Sequence, residues 1–333
     1  MSRSAIAAYF DSYVDLWAND EALGFEGIFF SEHHFGPGFA PSPNLLVAAV
    51  AQRTRKLRLG VMGVVTPYYP PWRLVEEIGM LDHLSHGRLE IGTAIGIPQE
   101  LARVNISMEE ARERNEEALE ILDAALSNNV VSYKGKYTQI DNLRLVPPPL
   151  QQPAPPKWTT ILGVESARNA ARRGSKICTG FNSTAQIEKI FDAYRDEAAR
   201  LGFPADSDHL AIRRRVAIAE NEAEAHASAD AMLQRVKALV ADDPRAVLSP
   251  VPDAPPPTRG FVLSEDEFIA GMPEQVAERI IGQCTAVGAG HFLAVLHWGA
   301  PFAEVERAHQ LFGRRVIPRL RQTELTTESS ELS

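Results

Sequence analysis

The sequence predicts an α/β protein folded as a (β/α)8 TIM barrel, and two observations carry this prediction. Apolar strand-like runs alternate with amphipathic helical segments along most of the chain, which is typical of parallel βα units. About seven strands and eight helices are recognisable, one strand short of a complete barrel. The first strand is the one predicted to be missing or degenerate, because only residues 1–4 precede the first helix. Either an upstream start was missed or the barrel is open at that edge.

Hydrophobic periodicity and cap residues place the elements in order. The first helix is predicted over residues 5–23, and Ser107-x-x-Glu110 forms a capping box before a helix in the middle of the chain. The other helices are predicted at 44–53, 72–84, 165–173, 183–201, 221–240, 273–287 and 303–320. The strands are predicted at 26–31, 57–65, 88–91, 157–162, 176–179, 210–219 and 292–296.

The strand–helix alternation resumes after each of two proline-rich stretches, 147–156 and 244–257. We therefore interpret both stretches as loops and expect one barrel domain over residues 1–320. Within it, residues 243–268 are predicted to be an insertion or mobile loop. Residues 321–333, rich in Thr, Ser and Glu, are predicted to be a flexible tail.

Composition and missing motifs exclude several classes of protein. The 333-residue chain has a net charge of −9, which argues against nucleic acid as a partner. No apolar run reaches the length of a membrane helix, and no signal sequence begins the chain, so we expect a cytoplasmic protein without a membrane partner. Only Cys178 and Cys284 are present, and no metal site is predicted. Phosphate-loop, Rossmann, nucleophile-elbow and H-E-x-x-H motifs are absent.

A polar cluster, Glu32-His33-His34-Phe35, directly follows the predicted strand 26–31. In a barrel the carboxyl end of each strand faces the active site. Because strand residues alternate, Glu32 should lie on the same face as His34 and His33 on the opposite face. An equally acceptable interpretation is a polar strand end whose groups bind loop backbone.

Glycines and a helix start provide the other candidate features. Gly60 and Gly63 weaken an apolar strand and therefore indicate a bulge, a flat ligand or tight packing against a neighbour. Glu165 and Ser166 open a helix after Gly163, where free N–H groups can hold a phosphate. Ordinary first-turn capping explains the same two residues as well.

Together these motifs resemble the bacterial luciferase-like family of flavin monooxygenases, which are (β/α)8 barrels. The resemblance covers nearly the whole chain. It rests on Glu32-His33-His34-Phe35, on Leu81-Asp82-x-Leu84-Ser85-x-Gly87-Arg88 with Gly92, on Gly271-Met272-Pro273-Glu274-Gln275, and on Phe312 with Val316-Ile317-Pro318. The resemblance implies oxidation of a small organic substrate by reduced FMN and dioxygen through a flavin hydroperoxide. A separate flavin reductase would supply the reduced FMN, and a homodimer is expected.

The resemblance also implies which residues form the site. His33 matches the catalytic histidine, and Met62-Gly63 matches a dipeptide, often joined by a cis bond, that supports the flavin ring. Glu165 and Ser166 match a pair that meets the FMN phosphate. The remaining predicted cofactor contacts are Thr93, Gly163 and Gly180, and the predicted substrate-pocket residues are His34, His297 and Trp298. The chain departs from luciferase at two positions. Luciferase has a cysteine where this chain has Ala94, and a phosphate-binding arginine where it has Ile95. Arg168 is a candidate to replace that arginine.

Two other functions stay open at this point. One is a hydride-transfer oxidoreductase of the same superfamily that uses a deazaflavin as its cofactor. The other is a flavin-binding paralogue without catalysis. The Glu32-His33-His34-Phe35 motif favours the FMN branch.

Overall fold

The computed structural model describes residues 2–36, 38–128, 130–203, 205–241 and 264–322. Residues 243–263 of the predicted loop at 243–268, and 323–333 of the predicted tail at 321–333, therefore lie outside the described residues. The described end of the loop forms a 3₁₀ turn, Glu265–Glu267, and the first residue of a strand, Phe268–Gly271, that was not predicted. The chain groups into an N-terminal unit, residues 1–21 and 26–160, and a C-terminal unit, residues 22–25 and 161–333. Within the described residues, no helix combines the length and apolar character needed to cross a bilayer.

The N-terminal unit is built on parallel strands covered by helices. Its helices are α1 (Arg3–Asn19), α2 (Pro43–Ala51), α3 (Pro71–Leu84), α4 (Pro98–Arg103) and α5 (Met108–Ser127). Its strands are β1 (Gly27–Phe30), β2 (Arg58–Val61), β3 (Val64–Val65), β4 (Leu89–Ala94), β5 (Val130–Lys134), β6 (Gln139–Arg144) and β7 (Lys157–Thr160). The parallel sheet has the order β1-β2-β4-β7, and β3 also pairs with β4. Helix α1 is the first element of the described residues.

The signature around Arg88 has a structural role in this unit. The buried Arg88 guanidinium donates to the Thr54 hydroxyl at 2.9 Å and to the Leu57 carbonyl at 2.7 Å. Asp82, at the end of α3, accepts from the backbone and the side chain of Gln151 at 2.7 Å each. These bonds fix the α3–β4 connection and hold β4 beside β2.

Three features of the N-terminal unit differ from the sequence prediction, and the first is helix α4, which was not predicted. The strand predicted over 57–65 is interrupted at Met62 and Gly63, which separates β2 from β3. The antiparallel hairpin β5–β6 was not predicted, and its turn is held by the carboxylate of Glu117 on α5. That carboxylate accepts from the N–H groups of Lys136, Tyr137 and Thr138 at 2.6, 3.1 and 2.9 Å. An acceptor nearly twenty residues away has no local sequence signal.

The C-terminal unit continues the strand–helix alternation. Its helices are α6 (Val164–Arg172), α7 (Thr184–Leu201), α8 (Glu222–Ala241), α9 (Pro273–Val287) and α10 (Phe302–Leu311). Its strands are β8 (Lys176–Thr179), β9 (Leu210–Ile218), β10 (Phe268–Gly271) and β11 (His291–Leu296). The long strand β9 pairs in parallel with β8, β10 and β11. Its core includes Ile177, Ile187, Phe191, Leu210 and Ile212, all fully buried.

Local signals set most boundaries of this unit. The Ser183–Gln186 capping box is formed, and α7 and α9 both end at glycines in the left-handed conformation, Gly202 and Gly288. The helix predicted over 303–320 is wrong in one respect, because a π-helical turn at Phe312–Val316 follows α10. A Cβ at Gly313 would lie 2.7 Å from the Leu23 carbonyl oxygen, so the turn occurs where the backbone packs closely on its neighbour.

Candidate active site

His33 lies just beyond the carboxyl end of β1. Its ring is accessible, and one ring nitrogen contacts Glu100. The His33 side chain is 55% exposed, and Nδ1 donates to Oε1 of Glu100 on α4 at 3.1 Å. A histidine that donates from Nδ1 presents Nε2 on the outer side of the ring. The geometry therefore gives the predicted catalytic histidine a fixed orientation and an open nitrogen.

Glu32 and His34 form a second, buried pair, which confirms that they share one face. Nε2 of His34 donates to Oε1 of Glu32 at 2.9 Å. The other oxygen, Oε2, accepts from the Val65 N–H at 3.1 Å and from the Tyr69 hydroxyl at 3.3 Å. The Glu32 side chain is fully buried, and this burial raises the pKa of its carboxyl. His34 is thus anchored to the structure while His33 remains accessible.

Two buried polar atoms of the N-terminal unit lack partners among the described residues. They are the hydroxyl of Tyr68, which follows β3, and Oε1 of Gln99, which follows β4. The Tyr68 ring packs edge-on against His34 with ring centroids 4.8 Å apart. Burial and the charges of Glu100 and Glu32 raise the pKa of Tyr68 to about 12, so the hydroxyl keeps its proton as a donor. Unsatisfied buried polar groups are costly and are found where ligands bind.

Met62 and Gly63 lie between β2 and β3 and are joined by a cis peptide bond, as the resemblance implies. A Cβ at Gly63 would lie 2.5 Å from the backbone carbon of Thr93 on β4. Thr93 is buried, and its carbonyl accepts from the Thr160 hydroxyl at 3.2 Å. The neighbouring strand therefore explains why residue 63 is glycine. The same reason applies at Gly60, where a Cβ would lie 2.7 Å from the Glu90 carbonyl oxygen.

In the C-terminal unit, Gly163, Glu165 and Ser166 form the start of α6. The Ser166 hydroxyl lies 2.8 Å from the Gly163 carbonyl oxygen and 3.3 Å from the Gly163 nitrogen, which is a capping arrangement. Glu165 is 68% exposed and pairs with Arg168 at 3.5 Å and Arg172 at 3.6 Å. The first turn of α6 therefore offers backbone N–H groups with two guanidinium groups nearby.

The remaining predicted residues of the C-terminal unit lie around β9. A Cβ at Gly180 would lie 2.8 Å from Nε of Arg213, so the glycine leaves room for that arginine. His297 is buried, and its Nε2 accepts from the Ile218 N–H at 2.9 Å. Burial lowers the pKa of His297, which keeps the ring neutral for this contact. The Trp298 ring centroid lies 5.8 Å from Cζ of Arg215.

Several groups around these sites were missed by the sequence analysis. In the N-terminal unit they are Glu100, Tyr68 and Tyr69, which contact residues of the Glu32-His33-His34 run. Glu100 lies 67 positions from His33, so no local spacing reveals the pair. In the C-terminal unit they are Arg213 and Arg215. A run of three arginines inside an otherwise apolar strand was the available signal.

Comparisons with known proteins place the chain in a family. The sequence model described as luciferase-like monooxygenase matches residues 2–291, and the chain belongs to that family. Uncharacterized protein y4wF of Sinorhizobium fredii is 34% identical over 307 residues, which cover 89% of this chain and 87% of that protein. The oxygenase component of the flavin-dependent trigonelline monooxygenase of Acinetobacter baylyi is 28% identical over 229 residues, covering 67% and 63% of the two chains.

Solved structures have the same fold. Monooxygenase RslO1 from Streptomyces bottropensis superposes with a TM-score of 0.78 at 28% identity, covering 93% of each chain. The oxygenating constituent of 3,6-diketocamphane monooxygenase from Pseudomonas putida, solved with FMN, has a TM-score of 0.76 at 21% identity and covers 93% of each chain. The coenzyme F420-dependent tetrahydromethanopterin reductase from Methanopyrus kandleri has a TM-score of 0.70 at 20% identity and covers 92% and 94% of the two chains. The predicted luciferase-like barrel fold is confirmed.

Fold and family together define the class of protein. The chain is a flavin-dependent monooxygenase of the luciferase-like family.

Proposed function

We propose that this chain is the oxygenase of a two-component system that uses reduced FMN and dioxygen to oxidise a small organic molecule. The observation that carries the proposal is His33, whose ring is oriented by Glu100 and remains 55% exposed at the carboxyl end of β1. A relative is named as an oxygenase component, which supports a separate flavin reductase as the partner. A structural neighbour was solved with FMN, which supports FMN as the cofactor.

Polar groups in each unit fit such a cofactor. The flavin ring carries carbonyl and N–H groups on its edge, and these suit the unpartnered Tyr68 hydroxyl and Gln99 Oε1 of the N-terminal unit. In the C-terminal unit, the backbone N–H groups at the start of α6 suit a phosphate, and the Ser166 hydroxyl, which donates to the Gly163 carbonyl, holds that turn in place. Luciferase has a phosphate-binding arginine where this chain has Ile95. We propose that Arg168 supplies that positive charge instead.

The proposed mechanism assigns a separate task to each group of residues. Bound reduced FMN supplies the electrons that activate dioxygen. His33 accepts or donates a proton at Nε2, and Glu100 holds its Nδ1–H so that the ring does not rotate away. The buried Glu32 fixes His34 and Tyr69 behind the reacting face. These contacts keep the polar groups oriented.

The second candidate is hydride transfer with a deazaflavin, and the structural likeness to an F420-dependent reductase favours it. The Glu32-His33-His34-Phe35 motif favours FMN. Dioxygen consumption separates the two candidates, because hydride transfer to a deazaflavin consumes none. A chain that binds FMN without any turnover would instead be the non-catalytic paralogue.

The test of the mechanism is a His33→Gln variant, with the exposed His226→Gln as its matched control. The chain loaded anaerobically with reduced FMN is mixed with dioxygen, and the rate of the oxygen reaction is followed by flavin absorbance. We expect H33Q to bind reduced FMN normally and to react slower by about 10²–10⁴-fold, the usual contribution of acid–base groups. H226Q should react as the parent does. An unchanged rate in H33Q would remove His33 from the mechanism.

We also propose that the chain forms a homodimer through α2 and α3 of the N-terminal unit. These helices carry large exposed apolar side chains, with exposed fractions of 71% for Leu45, 54% for Met80 and 41% for Trp72. Exposed apolar patches of this kind mark interfaces. Met80→Glu should convert a dimer to a monomer in light-scattering measurements. Leu201→Glu, on the exposed end of α7, should leave the dimer intact.

A further inference from the structure

The C-terminal unit contains three consecutive arginines on β9, and their side chains divide between the two faces of the strand. Arg214 is fully buried on one face, where Nε donates to Gln283 at 2.8 Å and Nη1 donates to the Asn182 carbonyl at 3.0 Å. Strand alternation places Arg213 and Arg215 together on the opposite face. Their side chains are 19% and 12% exposed, so a small molecule can reach them.

The charges on the Arg213–Arg215 face do not balance among the described residues. Arg213 Nη2 donates to Oε1 of the fully buried Glu267 at 2.7 Å, and Arg215 Nη1 donates to the same oxygen. The other oxygen of Glu267 accepts from the Phe181 N–H at 2.8 Å and lies 3.7 Å from Nη1 of Arg214. The charge of Asp266 also acts on Arg214. Three guanidinium groups thus face two carboxylates, and Nε of Arg215 is buried without a partner. Burial, and next the charge of Arg213, lower the pKa of Arg215 to about 10, so it stays charged at neutral pH.

Aromatic rings surround this excess charge. The Phe181 ring centroid lies 4.3 Å from Cζ of Arg213 and 5.4 Å from Cζ of Arg215. The ring centroids of Phe268 and Trp298 each lie 5.8 Å from Cζ of Arg215. Trp298 is 36% exposed, which leaves one side of the group open. We call these five residues, Phe181, Arg213, Arg215, Phe268 and Trp298, the arginine–aromatic cluster.

We propose that the arginine–aromatic cluster binds the carboxylate of an aromatic carboxylic acid and that such acids are the substrate class of this monooxygenase. One carboxylate balances one unpaired guanidinium, whereas a phosphate dianion would overcompensate it. Arginine also binds carboxylates with paired, directional N–H donors. Three rings within reach favour a flat apolar body attached to the acid. The proposal that these acids are substrates rests on the proposed monooxygenase function, but the binding itself does not.

Binding is tested on the full chain without flavin by calorimetric titration with benzoate. Benzamide, a neutral analogue of similar shape, and acetate, an anion without a ring, are the comparison probes. We expect benzoate to bind at least tenfold more tightly than either. Arg215→Gln should weaken benzoate binding at least tenfold without affecting benzamide. Arg314→Gln, the same change at an exposed site in the same unit, should bind benzoate as the parent does.

The R215Q chain should keep its fold, because Arg213 still pairs with Glu267. Thermal unfolding of the variant tests this. If it does not fold, Arg215→Lys, which retains the charge but loses the paired donors, should show weakened benzoate binding. Equal binding of benzoate and benzamide, or unchanged benzoate binding in R215Q, would overturn the proposal. A parallel loss of reduced-FMN affinity in R215Q would also overturn it, because the arginines would then serve the flavin. Failure of FMN binding in the parent chain would refute the proposed function alone.

Discussion

At the scale of single residues, the structure separates two histidines that are adjacent in the sequence. His34 is engaged by the buried Glu32, whereas His33 is exposed and contacts Glu100 on α4. Only an accessible ring can exchange protons with a bound molecule. We therefore propose different tasks for the adjacent residues, with His34 in support and His33 in the reaction.

Glu100→Gln tests the positioning of His33. An amide in place of the carboxylate loses a charge-assisted hydrogen bond, which is worth about 1.5–3 kcal/mol in general and less at an exposed ring. We expect the reaction of bound reduced FMN with dioxygen to slow roughly tenfold, less than in H33Q, and its pH profile to shift. Glu109→Gln, an exposed change on the neighbouring α5, serves as the control. A rate and pH profile identical to the parent would show that Glu100 does not position His33.

At the scale of elements, glycines set how closely the strands of the N-terminal unit approach. A Cβ at Gly92 of β4 would lie 1.8 Å from the Val61 carbonyl oxygen, whereas a Cβ at Gly282 of α9 meets nothing within 4 Å. Gly92→Ala should therefore destabilise the chain by about 1–3 kcal/mol or prevent folding. Gly282→Ala should stabilise it by about 0.5–1 kcal/mol, because alanine favours a helix interior. Denaturant unfolding measures the free energy of unfolding of both variants. Equal values for G92A and G282A would contradict the packing described for β2 and β4.

Helices α6 and α7 are joined by an ion-pair group with a predictable pH dependence. Glu197 accepts from Arg172 and Arg200 at 2.7 Å each, and these bonds lower its pKa from 4.5 to about 2. A carboxyl whose folded pKa is depressed contributes stability above its ordinary pKa, and this contribution is lost as the pH falls from 4.5 towards 2.

Glu197→Gln should flatten the loss of thermal stability over that acid range, because glutamine does not titrate. Glu188→Gln, exposed on the same helix, should leave the acid limb of the stability curve as it is in the parent. The curves come from melting temperatures measured between pH 5 and pH 2, with the range set by the pKa shift. An acid limb as steep in E197Q as in the parent would show that these pairs do not stabilise the fold.

Sequence reasoning succeeded where a signal is local and failed where it is long-range. The bounds of α9 follow from Pro273 and Gly288, and those of α7 from Ser183 and Gly202. The β5–β6 hairpin was missed because its turn depends on the distant Glu117. Likewise, the family motif predicts His33 as a site residue, but its contact with Glu100 and the grouping of Arg213 and Arg215 with three aromatic rings appear only in the folded chain.

At the scale of the whole molecule, family membership and the α/β fold fix the class of chemistry, while individual side chains decide its details. Structures with this fold include a monooxygenase constituent solved with FMN and a coenzyme F420-dependent reductase. The common fold therefore does not choose between them. The choice of FMN rests on the Glu32-His33-His34-Phe35 motif and on the polar groups described in each unit.

The most direct measurement titrates the purified full chain anaerobically with reduced FMN and, in parallel, with reduced F420, and then admits dioxygen. We predict that the chain binds reduced FMN and consumes dioxygen rapidly. The oxygen reaction should show a transient absorbance that differs from the absorbance of oxidised FMN. Tight binding of F420 without affinity for FMN would contradict this prediction and identify a hydride-transfer enzyme. Binding of FMN with no oxygen reaction beyond that of free reduced FMN would contradict the catalytic claim as well.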